Sequence, residues 1–101
     1  MSVGIVIPAY NCADTLARTI NSCLPHVNPL DIVVVFDGPD PKAEQIARGL
    51  SDEIRIVVLE AKSGAPVCRN EGLALTDTDY VMFMDADDYV EGPLLELGSR
   101  T

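Results

Sequence analysis

The residues best suited to chemistry sit where an apolar run ends. Tyr80-Val81-Met82-Phe83-Met84 leads into Asp85-Ala86-Asp87-Asp88 and then the turn-like Glu91-Gly92-Pro93. Three carboxylates in four residues, at the point where a buried strand should surface, make a poor core and a good cation site. Hard divalent ions such as Mg²⁺ and Mn²⁺ prefer carboxylate oxygens, and Mg²⁺ binds through one or two carboxylates plus substrate phosphates. Standing alone, the stretch would read as a solvated acidic turn. Three further polar motifs at equivalent places in the chain weigh against that.

The elements that must position these groups follow from periodicity. Val3-Gly4-Ile5-Val6-Ile7 is short, β-branched and stopped by Pro8, which predicts a buried strand. Beyond Asn11, taken as the N-cap region, Leu16, Ile20 and Leu24 recur at helical spacing until Pro25. Asp31–Phe36 is the second strand, apolar in the manner of a central parallel strand. Asp40-Pro41 predicts an N-cap followed by proline at the first helical position, with Ala43, Ile46, Ala47 and Leu50 inward. Ile54–Leu59 is the third strand. Gly64-Ala65-Pro66 opens a helix with Val67, Leu73 and Ala74 inward, Tyr80–Met84 is the fourth strand, and Pro93–Leu97 begins another helix. Such alternation implies an α/β fold, a Rossmann-like three-layer α/β/α arrangement on a parallel sheet of about four strands, forming one domain over residues 1–101.

In open sheets of this type, ligands bind beyond the carboxyl ends of the strands, near the point where strand order reverses. Those ends carry Pro8-Ala9-Tyr10-Asn11, Asp37-Gly38-Pro39-Asp40, Glu60-Ala61-Lys62-Ser63-Gly64 and Asp85-Ala86-Asp87-Asp88. The opposite edge carries ordinary turn chemistry around Asn28-Pro29, Ser51-Asp52 and Asp77-Thr78. A carboxylate pair holding a divalent ion can neutralise a diphosphate and stabilise it as a leaving group. Asp87 and Asp88 are the candidate metal contacts, with Asp85 on a ribose hydroxyl or acting through water. Asp37 can accept a hydrogen bond from an N–H on the edge of uracil, thymine or guanine; taken alone it is equally a turn residue beside Gly38. Tyr10 can lay its ring on a nucleobase, although an aromatic at a strand end more often packs. Arg69 can reach a base or phosphate, and on its own would read as a surface ion pair with Glu71 or Glu44. Asn11 and Asn70 cap or turn the backbone.

Composition narrows the partners. Hydrophobic residues make up 48% of the chain, enough for a folded interior. Sixteen acidic residues against seven basic ones give a net charge of −9, which excludes broad nucleic-acid binding and attraction to an anionic membrane surface. The acid clusters late, from Asp77 to Glu96, so that a bound cation should stabilise the fold. No segment has the length and apolarity of a membrane span, and the start lacks a secretory signal pattern. Cys12, Cys23 and Cys68 have no CxxC spacing and read as reduced thiols, which suggests a cytoplasmic location.

Taken in order, Val3-Gly4-Ile5-Val6-Ile7-Pro8-Ala9-Tyr10-Asn11, Val34-Val35-Phe36-Asp37-Gly38, Gly64–Leu73 with its Arg69-Asn70-Glu71-Gly72, and Tyr80–Asp88 resemble the family 2 glycosyltransferases of the GT-A fold. The resemblance implies a nucleoside-diphosphate-sugar donor (UDP-, GDP- or dTDP-linked), Mg²⁺ or Mn²⁺, and inversion at the anomeric carbon. It would put Pro8, Ala9, Tyr10, Asn11, Asp37, Gly38 and Arg69 around base and phosphate. Asp85, Ala86 and Asp87 would lie on ribose and nucleotide, with Asp87 and Asp88 on the metal. Two departures stand out: Phe36 replaces the first of the usual paired acids, and Pro39 replaces the usual serine. The family's acceptor-binding half, which supplies the general base, has no counterpart here, so the chain corresponds to the nucleotide-binding half, with no catalytic base of its own. An exposed sheet edge would then favour self-association.

Two other readings fit parts of the pattern. An aspartate-x-aspartate after an apolar strand also suits a phosphohydrolase of the haloacid dehalogenase type, but that motif belongs on the first strand. A non-catalytic binding or scaffold domain would leave the acidic rim merely solvated.

Overall fold

The computed structural model describes residues 2–86. Within them the chain forms β1 (Val3–Ala9), α1 (Leu16–Cys23), a short 3-10 turn (Pro29–Asp31), β2 (Ile32–Phe36), α2 (Pro41–Leu50), β3 (Arg55–Val58), α3 (Ala65–Ala74) and β4 (Tyr80–Phe83). All pairings are parallel and the strand order is β3-β2-β1-β4. This is the expected Rossmann-like α/β architecture.

The chain runs outward from β1 through β2 to β3, then returns across the sheet to the far side of β1. Crossovers of one hand must place the outward helices on one face and the returning helix on the other. Accordingly α1 and α2 pack together over Ile5, Ile7, Ile32, Val34 and Phe36. On the opposite face α3 covers Val6, Val33 and Val35 through Cys68. β1 and β2 are thus buried on both sides, which is why their sequences are apolar without alternation. Phe36 is fully buried in the larger core, so an apolar residue is at home where an acid was expected.

Three local expectations need correction. The inward residues of α3 are Cys68 and Gly72, while Val67 and Leu73 are 40% and 46% exposed and Ala74 also faces solvent. A Cβ on Gly72 would overlap Val6 Cγ1, so the missing side chain is what lets α3 lie against β1. Size, not hydropathy, selects that face. The second correction concerns Asn11, which does not cap α1. It adopts φ 49°, a left-handed turn that asparagine tolerates, and Thr15 holds the N-cap position. Asp40 does cap α2 as expected, accepting from Ala43 N at 3.2 Å with Pro41 next in the chain.

Finally, β1 does not stop at Pro8 but continues to Ala9. Val6 O accepts from Met84 N at 3.0 Å on the β4 side, and Ala9 O accepts from Asp37 N at 2.8 Å on the β2 side. Alternation turns the backbone of Pro8 toward β4, whose ladder with β1 has already ended at Val6–Phe83. The absent N–H therefore costs no ladder bond.

Candidate functional site

Strand order reverses between β1 and β4, and these two strands part company after Val6 and Phe83. A cleft of about 500 Å³ opens there. Its wall includes Pro8, Ala9, Tyr10 and Asn11 from the end of β1, Asp37 from β2, and Asp85 and Ala86 from the exit of β4. A neighbouring space of about 360 Å³ shares Tyr10, Asn11 and Asp37 and adds Gly38 and Pro39. Seven of the sequence-predicted residues thus meet on one wall, with Gly38 beside them. Arg69 stands exposed on α3 and lines neither space. Asp87 and Asp88 lie outside the described residues.

Tyr10 is 60% exposed, so its ring is not a core-packing group at a strand end. The Lys62 ammonium sits 4.8 Å from the ring centroid, within cation–π range. Lys62 lines both spaces and was not singled out from the sequence, where one lysine in a polar loop gives no signal.

Asp37 is only 6% exposed and does positional work. Its Oδ1 accepts from Ser63 N at 2.5 Å and its Oδ2 from Gly64 N at 3.0 Å. Gly64, at φ 98°, is the N-cap of α3, so the carboxylate ties the end of β2 to the start of that helix. Each carboxylate oxygen retains a second lone pair that can face the cleft.

The β4 exit is held from the other side. Ala86 is buried, and its carbonyl accepts from the hydroxyls of Thr15 at 2.9 Å and Thr19 at 2.8 Å. Asp85, between buried Met84 and buried Ala86, is exposed on the cleft wall. Thr19 had a readable signal: it is a polar residue on the apolar stripe of Leu16, Ile20 and Cys23.

Cys12 and Cys68 also line the cleft. Burial, reinforced by the negative charge of Asp40, pushes the Cys12 thiol up to about 11. Burial, reinforced by Asp37, moves Cys68 in the same direction. Both stay protonated near neutral pH, so the wall offers hard carboxylate oxygens and no thiolates. That donor chemistry suits Mg²⁺ or Mn²⁺ better than a soft ion. Among the described residues no group of three or more His, Cys, Asp or Glu side chains is arranged to hold a metal, and Asp85 is the described member of the acidic stretch.

Residues 4–97 match the family model described as glycosyl transferase family 2. The chain belongs to that family. A relative of this family 2 chain, the amylovoran biosynthesis glycosyltransferase AmsB of Erwinia amylovora, is 34% identical over 95 residues, covering 87% of this chain and 31% of that protein. The succinoglycan biosynthesis protein ExoU of Rhizobium meliloti is 32% identical over 90 residues, covering 86% of this chain and 26% of its own. The chain therefore spans about a third or less of the length of these relatives. Among solved structures, that of Staphylococcus aureus TarS residues 1–349 in complex with UDP superposes with a TM-score of 0.82 at 26% identity, covering 99% of this chain and 31% of that 1–349 chain. The family match, and the position of Asp85 just after β4 and not after β1, set aside the phosphohydrolase reading. Among the described residues no helix is long and apolar enough to cross a membrane.

Proposed function

We propose that this chain is the donor-binding part of a glycosyltransferase and binds a nucleoside-diphosphate sugar, with a uridine nucleotide first in order. The observation that carries this is the meeting of Tyr10, Asp37 and Asp85, from three separate strand ends, on one cleft at the switch point of the sheet. TarS has been crystallised with UDP, and the Escherichia coli relative WfaP is named as a UDP-Glc transferase, which supports uridine over guanosine or thymidine.

In this reading the exposed face of Tyr10 stacks on the base, and Asp37 accepts its edge N–H with the lone pairs left free by Ser63 and Gly64. Lys62 leaves the ring for the diphosphate. Asp85 takes the ribose, and Asp87 and Asp88 hold Mg²⁺ or Mn²⁺. When bound, the ion supplies charge neutralisation of the diphosphate leaving group. Inversion would need a general base to take the proton of the acceptor hydroxyl. We assign that base to a part of the protein outside these residues, because Asp37 is committed to the α3 loop and Asp85 to the donor. The free thiols fit a cytoplasmic setting. β4 is an edge strand among the described residues and exposes Tyr80 and Phe83, a surface for self-association that light scattering would detect.

Isothermal titration of UDP, GDP and dTDP, each with and without Mn²⁺, tests the proposal. UDP should bind with Mn²⁺ and more weakly without it. Failure of all three to bind in Mn²⁺ would overturn the reading and favour a non-catalytic scaffold.

A further inference from the structure

We infer that Lys62 is a displaceable cover over the Tyr10 ring that makes the cleft select nucleotides over uncharged nucleosides; the inference rests on the nucleotide-binding reading above. The Lys62 ammonium sits over the ring, 4.8 Å from its centroid. Both residues line the larger and the smaller space, so the covered face borders the cleft. An ammonium and a stacked base cannot share that face. Stacking therefore requires Lys62 to leave.

Two features suit the lysine to this part. Its backbone is anchored: Asp37 accepts from the next two amides, Ser63 N at 2.5 Å and Gly64 N at 3.0 Å, and Ser63 Oγ donates to Ala61 O at 3.0 Å. A Cβ on Gly38 would come within 3.6 Å of Lys62 N, so the exit of β2 backs the loop. Displacement needs only rotation of a flexible four-carbon stem, with no movement of the loop. The second feature is charge. Among the described residues that line the two spaces, Lys62 is the one basic side chain, set against Asp37, Asp40 and Asp85. Without it that wall repels a diphosphate.

The consequence is a difference between ligands. A cation–π contact at an exposed site is weak, whereas a hydrogen bond from an ammonium to a phosphate is charge-assisted and stronger. A nucleotide that displaces Lys62 offers the ammonium a better partner. A nucleoside displaces it into solvent and recovers nothing. Selectivity of this kind comes from a penalty on the wrong ligand as well as from contact with the right one. Base stacking and diphosphate capture are thereby coupled through one side chain.

The test is NMR titration of uridine and of UDP, in Mg²⁺, into the unsubstituted chain and into Lys62→Ala. Removing the cover should tighten uridine binding about two- to fivefold, the equivalent of an exposed cation–π contact. Removing the charge should weaken UDP binding about tenfold or more. The two affinities should thus move in opposite directions, which neither a simple phosphate contact nor a damaged fold would produce. Any other outcome overturns the inference: uridine unchanged while UDP weakens makes Lys62 a plain phosphate contact, and both weakening together makes it part of the wall. Should Lys62→Ala not fold, Lys62→Gln takes its place with the same expected outcomes. Absence of UDP binding by the unsubstituted chain would instead remove the nucleotide reading itself, and the inference with it.

Discussion

Asp37 and Gly64 are joined across the sheet top: the Asp37 Oδ2 accepts the Gly64 amide at 3.0 Å, while Oδ1 takes that of Ser63. The bond connects the end of β2 to the helix that returns the chain to β4, so one carboxylate both lines the cleft and holds its far wall. Asp37→Asn keeps the shape but offers one acceptor oxygen, leaving an N–H facing an amide nitrogen. It should lower stability by about 1–3 kcal/mol, the cost of an unsatisfied buried group. Urea unfolding without ligand measures this, and a variant as stable as the native chain would show that the loop holds itself.

Tyr10 separates binding from stability, because its ring is largely in solvent. Stacking of a base on an aromatic ring contributes about 1–3 kcal/mol, so Tyr10→Ala should weaken UDP binding by roughly that amount. Its unfolding midpoint should barely move. Tyr10→Phe keeps the stacking face and should bind UDP nearly as the native chain does. Equal UDP affinity in the alanine variant would place the base elsewhere.

At Gly72, α3 lies tight against Val6 of β1. In an exposed helix, alanine for glycine would stabilise by about 1 kcal/mol. Here the new methyl meets Val6, and overpacking of a tight contact costs about 1–3 kcal/mol. The steric cost should win, and Gly72→Ala should melt earlier than the native chain. A higher melting temperature would mean that α3 can shift away from the sheet at little cost.

These residues also show what was legible in the sequence. The strand ends could be read to within a residue or two because apolar runs give way at Pro8, Asp37 and Asp85, although β1 itself runs on to Ala9, and the switch-point rule then gathers them on one rim. The inner face of α3 could not, because Gly72 is chosen for having no side chain and Cys68 for being small, while Val67 and Leu73 carry the hydropathy outward. The hydrogen bonds from Thr15 and Thr19 to the Ala86 carbonyl join α1 to residue 86 across about seventy positions, a pairing that no local pattern encodes. Arg69 was drawn to the site by its motif, yet its place on α3 leaves it off the cleft wall.

Cys12 predicts how stability responds to alkali. In the folded chain its thiol is pushed from an ordinary 9.0 up to about 11, first by burial and then by Asp40. The folded state therefore holds this proton more tightly than the unfolded chain. The contribution is fully present below pH 9 and is lost as pH rises from there through about 11. At about 1.4 kcal/mol per pKa unit, the loss amounts to roughly 2–3 kcal/mol. Cys23 and Cys68 shift the same way, so the fall should be steeper than one thiol alone would give. Urea unfolding at pH about 8.5 and about 10.5 measures the slope. Cys12→Ala should flatten it, since lysine and tyrosine titration is common to both proteins. Parallel curves for the two would mean that the Cys12 thiolate is accommodated in the folded state after all.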